Sequence, residues 1–279
     1  MNRLRDHLPW GVRERIRAVR RRLPRGLRPW IVAARLVPGG EDRRRFVALT
    51  QRRWEGTEPV EVPLRPLGGA RVAVRPGGQD PIVVQDTFVA RYHLPPPGSV
   101  PGGARVIWDL GSNIGLTAAD MAVRYPSARV FAVELDPANA AMCERNLASW
   151  ADRVEVVGAG VWVEDGELRF SRAPGRELEA RVEAVAEGGE ATETAPALSL
   201  DTLLERSGGG RVDYVKMDIE GAEREVLRRN TGWAASVGAI KVECHDPYSV
   251  EECVEDLRAL GFDARRDHSH WACAAGVRR

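Results

Sequence analysis

Val106-Ile107-Trp108-Asp109-Leu110-Gly111-Ser112-Asn113-Ile114-Gly115 decides how this chain of 279 residues is read. A short apolar run ends in an acid, and a glycine-spaced turn follows. Leu116-Thr117-Ala118-Ala119-Asp120-Met121-Ala122 then continues as a helix former. That order spells strand, tight turn and helix N-terminus. In α/β sheets, ligands bind at the carboxyl ends of the strands, where such turns lie. Gly111 and Gly115 carry no Cβ, so the backbone there can come close to a ligand. A second acid, Glu134, closes the next apolar run, Arg129-Val130-Phe131-Ala132-Val133. An acid at that place can accept hydrogen bonds from both hydroxyls of a ribose. The pattern predicts a nucleoside-like cofactor.

Charge narrows the choice of cofactor. A dinucleotide fold uses G-x-G-x-x-G, which seats a pyrophosphate on the helix N-terminus. This turn reads Asp109-x-Gly111-x-Asn113-x-Gly115, with an acid ahead of the first glycine. A carboxylate beside the turn repels a pyrophosphate and attracts a cation. S-adenosyl-L-methionine carries a sulfonium and an ammonium and suits that acid. The other reading is an ordinary βαβ turn with a surface acid.

Composition excludes several classes. With 43% apolar and 29% charged residues the chain is globular and can bury a full core. No apolar run reaches the ~20 residues that span a bilayer. No basic stretch leads into an apolar signal region, which predicts a cytoplasmic protein, peripheral to a membrane at most. Cys143, Cys244, Cys253 and Cys273 form no C-x-x-C pair and read as reduced thiols. A zinc site from Cys273, His268 and His270 lacks an evident fourth ligand.

Charge is distributed unevenly. Residues 1–53 hold sixteen arginines against Asp6, Glu14, Glu41 and Asp42, so the rest of the chain is net acidic. Ile16, Val19 and Leu23 recur at helical spacing in this head, which Pro24 and Pro29 break into short helices. A basic amphipathic segment suits an anionic membrane surface, an acidic partner, or a helical cap on the domain behind it. Nucleic acid is not expected, because no binding module accompanies the arginines. Only Lys216 and Lys241 stand against thirty-nine arginines, both in strand-like runs. That is a hint that a compact ammonium is wanted at both places, with chance as the rival account.

The organisation follows. Residues 1–55 form a basic extension and 56–100 a small β-rich module, with alternating runs at 60–64 and 70–74 and helical character returning over 84–88. Pro95-Pro96-Pro97-Gly98 and Pro101-Gly102-Gly103 link it to a domain over 101–279. There strands are expected near 105–109, 129–134, 153–158, 212–218 and 238–244. Helices are expected near 115–124, 137–149, 199–206, 220–229 and 249–260. The rhythm predicts an α/β fold with a mainly parallel sheet. Residues 171–197 read as a strand with a mobile loop on the active-site side. The two short runs after Gly261 read as an antiparallel edge hairpin.

Two strand ends carry chemistry. Asp218, Glu220 and Glu223 crowd the edge that Asp109 and Glu134 occupy. The helix dipole explains acids at 220 and 223, whereas Asp218 at a strand tip can face the cofactor, hold an acceptor hydroxyl or, with Glu220, bind a divalent metal ion. His245 ends the fifth strand; a histidine with a pKa near ~6.5 can take a proton from a hydroxyl, or it caps the next helix.

Taken together, Asp109-Leu-Gly111-Ser-Asn113-Ile-Gly115, Val133-Glu134-Leu-Asp136-Pro137, Leu200-Asp201-Thr-Leu-Leu204, Lys216-Met-Asp218-Ile-Glu220-Gly221-Ala-Glu223 and Val242-Glu243-Cys-His245 resemble the FkbM family of methyltransferases. Val74-Arg75-Pro-Gly-Gly-Gln-Asp80 resembles the family's leading segment, so the likeness runs from about residue 71 to the end. The Lys-x-Asp-x-Glu-Gly-x-Glu box is its most discriminating piece. The resemblance implies a Rossmann-like class I methyltransferase sheet and O-methyl transfer from S-adenosyl-L-methionine. It places Asp109, Gly111, Asn113, Gly115 and Glu134 at the cofactor, with Asp218 beside it and Ala159 after the third strand. There the chain departs from the family's small pair by following Ala159-Gly160 with Val161-Trp162, and Trp162 packs near an adenine or fills the core.

The expected reaction is methyl transfer to a hydroxyl of a sugar or natural-product scaffold, a small-molecule acceptor. His245 is the first candidate base, Asp218 the second, and Glu220 a metal-ligand candidate. Two alternatives share the sequence: an NAD(P)-linked oxidoreductase, and a non-catalytic scaffold whose basic head does the binding.

Overall fold

A computed structural model describes residues 28–100, 102–172, 180–182 and 193–278. The helices expected before Pro24 lie outside these residues. The chain divides into two compact units, one up to Tyr92 and one from His93.

In the first unit, helix α1 (Arg28–Leu36) starts with Pro29 in its first turn, where a missing N–H costs nothing. Helix α2 (Gly40–Thr50) is not announced by the sequence, because its Glu-Asp-Arg-Arg-Arg run hides the buried face of Phe46, Val47 and Leu49. Strands β1 (Val60–Pro63) and β2 (Arg71–Val74) pair antiparallel, in keeping with the alternating runs. Helix α3 (Asp80–Gln85) follows, continuing into a wider turn at Asp86–Ala90. Asp80 is fully buried and accepts hydrogen bonds from the backbone N–H, Nε and Nη2 of Arg75 at 2.8–3.0 Å.

The second unit is built on a seven-stranded sheet. Its strands are β3 (Val106–Leu110), β4 (Arg129–Glu134), β5 (Val154–Gly158), β10 (Tyr214–Met217), β11 (Ala239–Glu243), β12 (Asp263–Arg266) and β13 (Cys273–Val277). The spatial order is β12-β13-β11-β10-β3-β4-β5. The five strands from β11 to β5 run parallel, while β13 pairs antiparallel with both β11 and β12. The sheet is thus an α/β Rossmann-like one with a terminal antiparallel hairpin, as read from the sequence. Chain order reverses at β3, which has β4 on one side and β10 on the other. That reversal is where open α/β sheets bind ligands.

Helices α4 (Leu116–Arg124) and α5 (Pro137–Leu147) return the chain between the first three strands. Asp136 caps α5, accepting the N–H groups of Ala138 and Asn139, and Pro137 occupies the first turn. Helices α6 (Leu200–Arg206), α7 (Glu223–Arg228) and α8 (Val250–Ala259) complete the set, the last with a Ser249–Glu252 capping box. Trp108, Phe131, Tyr214 and Trp233 are wholly buried around the strands. Burying such rings contributes roughly 1.5–3 kcal/mol each relative to exposure.

Residues 171–197 differ from expectation. Strands β6 (Gly160–Trp162), β7 (Gly166–Arg172), β8 (Ala180–Val182) and β9 (Glu193–Ser199) form a second sheet in the order β6-β9-β7-β8. The expected loop falls partly on residues 173–179 and 183–192, outside the described ones. In β9, Ala195, Ala197 and Leu198 supply the buried positions, too small and irregular a set to announce a strand. No helix among the described residues is long and apolar enough to cross a membrane.

Candidate active site

The turn after β3 sets the geometry of the carboxyl edge. The N–H groups of Gly111 and Ser112 both donate to the Val133 carbonyl, at 3.0 and 2.9 Å, and Asp218 N–H donates to the Leu110 carbonyl at 3.0 Å. Gly111 has a φ of 77°. A Cβ there would lie 1.7 Å from the Asp218 carbonyl oxygen. A Cβ at Gly115 would meet Cys143 Sγ at 2.9 Å. The sequence reading has both glycines making room for a ligand. The space instead serves the β10 turn at Gly111 and helix α5 at Gly115, although Gly111 also lines the cleft.

Asp109 is fully buried beneath this turn rather than on the cleft wall. Its Oδ2 accepts from Ser112 Oγ at 2.7 Å. The Lys216 ammonium lies 3.5 Å from Asp109 Oδ1 and 3.2 Å from Asp218 Oδ2. It donates to the Gly111 carbonyl at 2.7 Å. One buried ammonium therefore ties two strand ends and the turn together. Lys241 is likewise buried, pairs with Asp267 and donates to Ser269 Oγ at 2.8 Å and to the Leu94 carbonyl at 3.3 Å. Both lysines put a compact charge where a guanidinium fork would need more room.

The cleft opens at the topological switch, with about 560 Å³ of empty space that reaches solvent. Its walls include Asn113, Glu134, Ala159, Asp218 and Glu220, over an apolar lining of Val133, Leu135, Val161 and Ile219. Asn113 takes a φ of 50°, a left-handed conformation that asparagine tolerates, and donates its N–H to Glu134 Oε2 at 2.7 Å. Glu134 Oε1 accepts from Asp136 N–H at 2.9 Å. Burial pushes the Glu134 carboxyl above its usual range, and the two backbone N–H groups pull it partly back. The Asn139 side chain donates to the same carboxylate, which leaves one lone pair of its four for a further donor. Trp162 is half-buried and packs on the sheet's core, not on the cleft wall.

A ring of acids surrounds one imidazole, and two of them, Asp218 and Glu220, line the cleft. Glu223 is wholly buried at the start of α7. Its carboxylate accepts the N–H groups of Ile219 and Gly221, at 3.0 and 2.9 Å, and bonds His245 Nδ1 at 2.8 Å. His245 Nε2 then faces Glu220 Oε2 at 3.5 Å and Asp218 Oδ1 at 3.6 Å. Burial alone would lower the His245 pKa; the Glu223 hydrogen bond and charge, with Asp218 and Glu220, override it and raise the pKa to about 10. The surrounding carboxylates thus favour the imidazolium form, where the sequence suggested an ordinary histidine. Glu220 has a φ of 55°, a strained conformation for a non-glycine residue at a site edge. Glu243, at the end of β11, is pushed up to about 7 by burial and then by the Asp218 charge.

The structure therefore brings Asn113, Glu134, Ala159 and Asp218 to one cleft, and sets His245 and Glu220 against Asp218. Glu223 is the residue that sequence reasoning missed. Its i+3 spacing from Glu220 looked like helix-dipole decoration, and the contact to His245 crosses between two strand ends. Asp218, Glu220 and His245 each offer a donor atom within 4.8 Å of the others. An imidazolium already supplies the positive charge that a metal ion would bring there.

The residues suit S-adenosyl-L-methionine. Glu134 offers a carboxylate acceptor to a ribose hydroxyl, the apolar lining suits an adenine, and Asp218 and Glu220 offer negative charge to its cationic end.

Comparison with known proteins finds methyltransferases. The profile of the Methyltransferase FkbM domain matches residues 109–268. Methyltransferase sdnD of Sordaria araneosa is 30% identical over 199 residues, covering 60% of this chain and 76% of its own length. Hexuronic acid methyltransferase AglP of Haloferax volcanii is 29% identical over 162 residues, covering 55% of this chain and 62% of its own length. Among solved structures, methyltransferase FkbM from Methylobacillus flagellatus aligns with 91% of this chain at 14% identity, with a TM-score of 0.42 across 59% of that chain.

Proposed function

The chain belongs to the FkbM methyltransferase family, and from that premise we propose that it transfers a methyl group from S-adenosyl-L-methionine to a hydroxyl oxygen of a sugar or natural-product scaffold. The carrying observation is the cleft at the strand switch, lined by Glu134, Asp218 and Glu220. A hexuronic acid methyltransferase among the relatives supports a sugar-like acceptor. Four free cysteines support a reducing, cytoplasmic setting.

When bound, S-adenosyl-L-methionine supplies an electrophilic methyl on a sulfonium. Glu134 holds the ribose, with Asn113 N–H and Asp136 N–H fixing the carboxylate's orientation. Asp218 is fixed from one side by Lys216 and from the other by His245. The acceptor hydroxyl is received beside Asp218. Three carboxylates keep His245 protonated, so Asp218 stands ahead of it as the group that takes the acceptor's proton. Holding two reactants in line accounts for much of the rate, since well-oriented groups gain up to ~7–11 kcal/mol over free encounter.

The test is transfer of an isotopically labelled methyl to a panel of sugar and polyketide alcohols, followed by mild alkaline hydrolysis of the product. An alkali-stable methyl ether is expected. An alkali-labile methyl ester, or no transfer to any alcohol, would overturn hydroxyl methylation.

A further inference from the structure

Beside the acceptor edge, the antiparallel hairpin carries a donor cluster that methyl transfer does not use. Cys273 opens β13 directly opposite Glu243, the last residue of β11. His270 precedes Cys273 by three residues in the turn from β12. Its Nδ1 lies 3.4 Å from Cys273 Sγ and 3.9 Å from Glu243 Oε1. One donor atom from each of the three lies within 4.8 Å of the others. A sulfur, a nitrogen and an oxygen thus converge from two adjacent strands and the turn between β12 and β13.

These distances match a tetrahedral metal. Zinc bonds of ~2.3 Å to sulfur and ~2.0–2.1 Å to nitrogen and oxygen, at tetrahedral angles, put S···N near ~3.5 Å and N···O near ~3.4 Å. The two His270 separations lie within about half an ångström of these values, and Cys273 Sγ and a Glu243 oxygen lie within 4.8 Å of each other. The turn is held for such a task. Asp267 N–H donates to the Cys273 carbonyl at 2.8 Å, and Ser269 N–H and Oγ donate to the Asp267 carboxylate at 2.9 and 2.6 Å. Lys241 in turn grips Asp267 and Ser269 from the sheet. Cys273 is buried, while the Glu243 and His270 side chains are about one-fifth to one-quarter exposed, which leaves a route for an ion.

We propose that Glu243, His270 and Cys273 form a three-ligand site for a zinc-class divalent ion, with its fourth position open to water or a ligand. Thiolate plus imidazole plus one carboxylate is a borderline donor set. It favours zinc over magnesium or calcium, which prefer all-oxygen shells. His268, the other histidine of the turn, is not part of the set, and Glu243 stands in its place, so the fourth position stays open as in the sequence reading.

The test uses the full-length chain stripped with a chelator and dialysed. Zinc is titrated in competition with a chromophoric chelator, and cobalt(II) is added to a parallel sample. One zinc per chain, with a thiolate-to-cobalt charge-transfer absorption, is expected. Cys273→Ser should abolish that absorption, and His270→Ala should weaken zinc binding by at least ~10-fold. Wild-type protein that binds no stoichiometric zinc, or cobalt without a thiolate band, overturns the proposal even where a variant misfolds. Titration of the same Cys273→Ser sample with S-adenosylhomocysteine separates this result from the cofactor reading, because the Glu134 cleft does not include the cluster.

Discussion

The wholly buried Glu223 carboxylate holds His245 Nδ1 at 2.8 Å while receiving the backbone N–H groups of Ile219 and Gly221. One side chain thereby fixes both the imidazole and the turn that carries Glu220. Glu223→Gln keeps the shape, removes the charge and leaves one oxygen to serve three donors. It is expected to cost about 1–3 kcal/mol of stability, read by denaturant unfolding. Turnover should fall with little change in S-adenosylhomocysteine affinity. An unchanged turnover would show that the imidazole does not need this carboxylate.

His245→Ala is expected to lower turnover by ~100-fold, because Asp218 loses one of the two cations that hold it and a small misplacement costs that much. Cofactor affinity should stay within a few-fold, since Glu134 and Asn113 line the cleft and His245 does not. Steady-state kinetics alongside calorimetry separates the two effects. Loss of affinity with normal turnover would move His245 to the cofactor.

Gly111→Ala is expected to unfold or severely destabilise the chain, because the new Cβ would sit 1.7 Å from the Asp218 carbonyl oxygen. Gly221 also has a positive φ, of 110°, yet no atom lies within 4 Å of the place a Cβ would take there. Gly221→Ala should therefore cost only backbone strain of about 1–2 kcal/mol. Equal melting temperatures for the two variants would contradict the packing account of the β3 turn.

Lys216→Ala leaves Asp109 buried without its ammonium, and Gly111 and Asp218 lose a shared anchor. Breaking a buried pair from one side costs about 3–5 kcal/mol. Thermal unfolding should show Lys216→Ala far below wild type, and a drop of less than about one kcal/mol would deny Lys216 its role as the tie between β3 and β10.

Much of this was legible in the chain. The central parallel strands read as mainly apolar runs because both faces are covered, and an acid or glycine ends each strand or follows it at once. Asp109 stands out in the sequence, but its burial under Ser112 and Lys216 does not, since one-dimensional spacing does not tell which way a strand-end side chain turns. The second sheet escaped because β8 is three residues long and β9 alternates small residues. Glu223 with His245, and Glu243 with Cys273, depend on strand register, which links residues more than twenty positions apart. Local pattern carries no information about such pairs.

The most direct measurement is calorimetric titration of the chain with S-adenosylhomocysteine, with NAD as the control ligand. Micromolar binding of S-adenosylhomocysteine is expected, weakened ~10–100-fold in Glu134→Ala by the loss of charged hydrogen bonds to ribose, with no heat from NAD. Binding of NAD without S-adenosylhomocysteine would contradict the account.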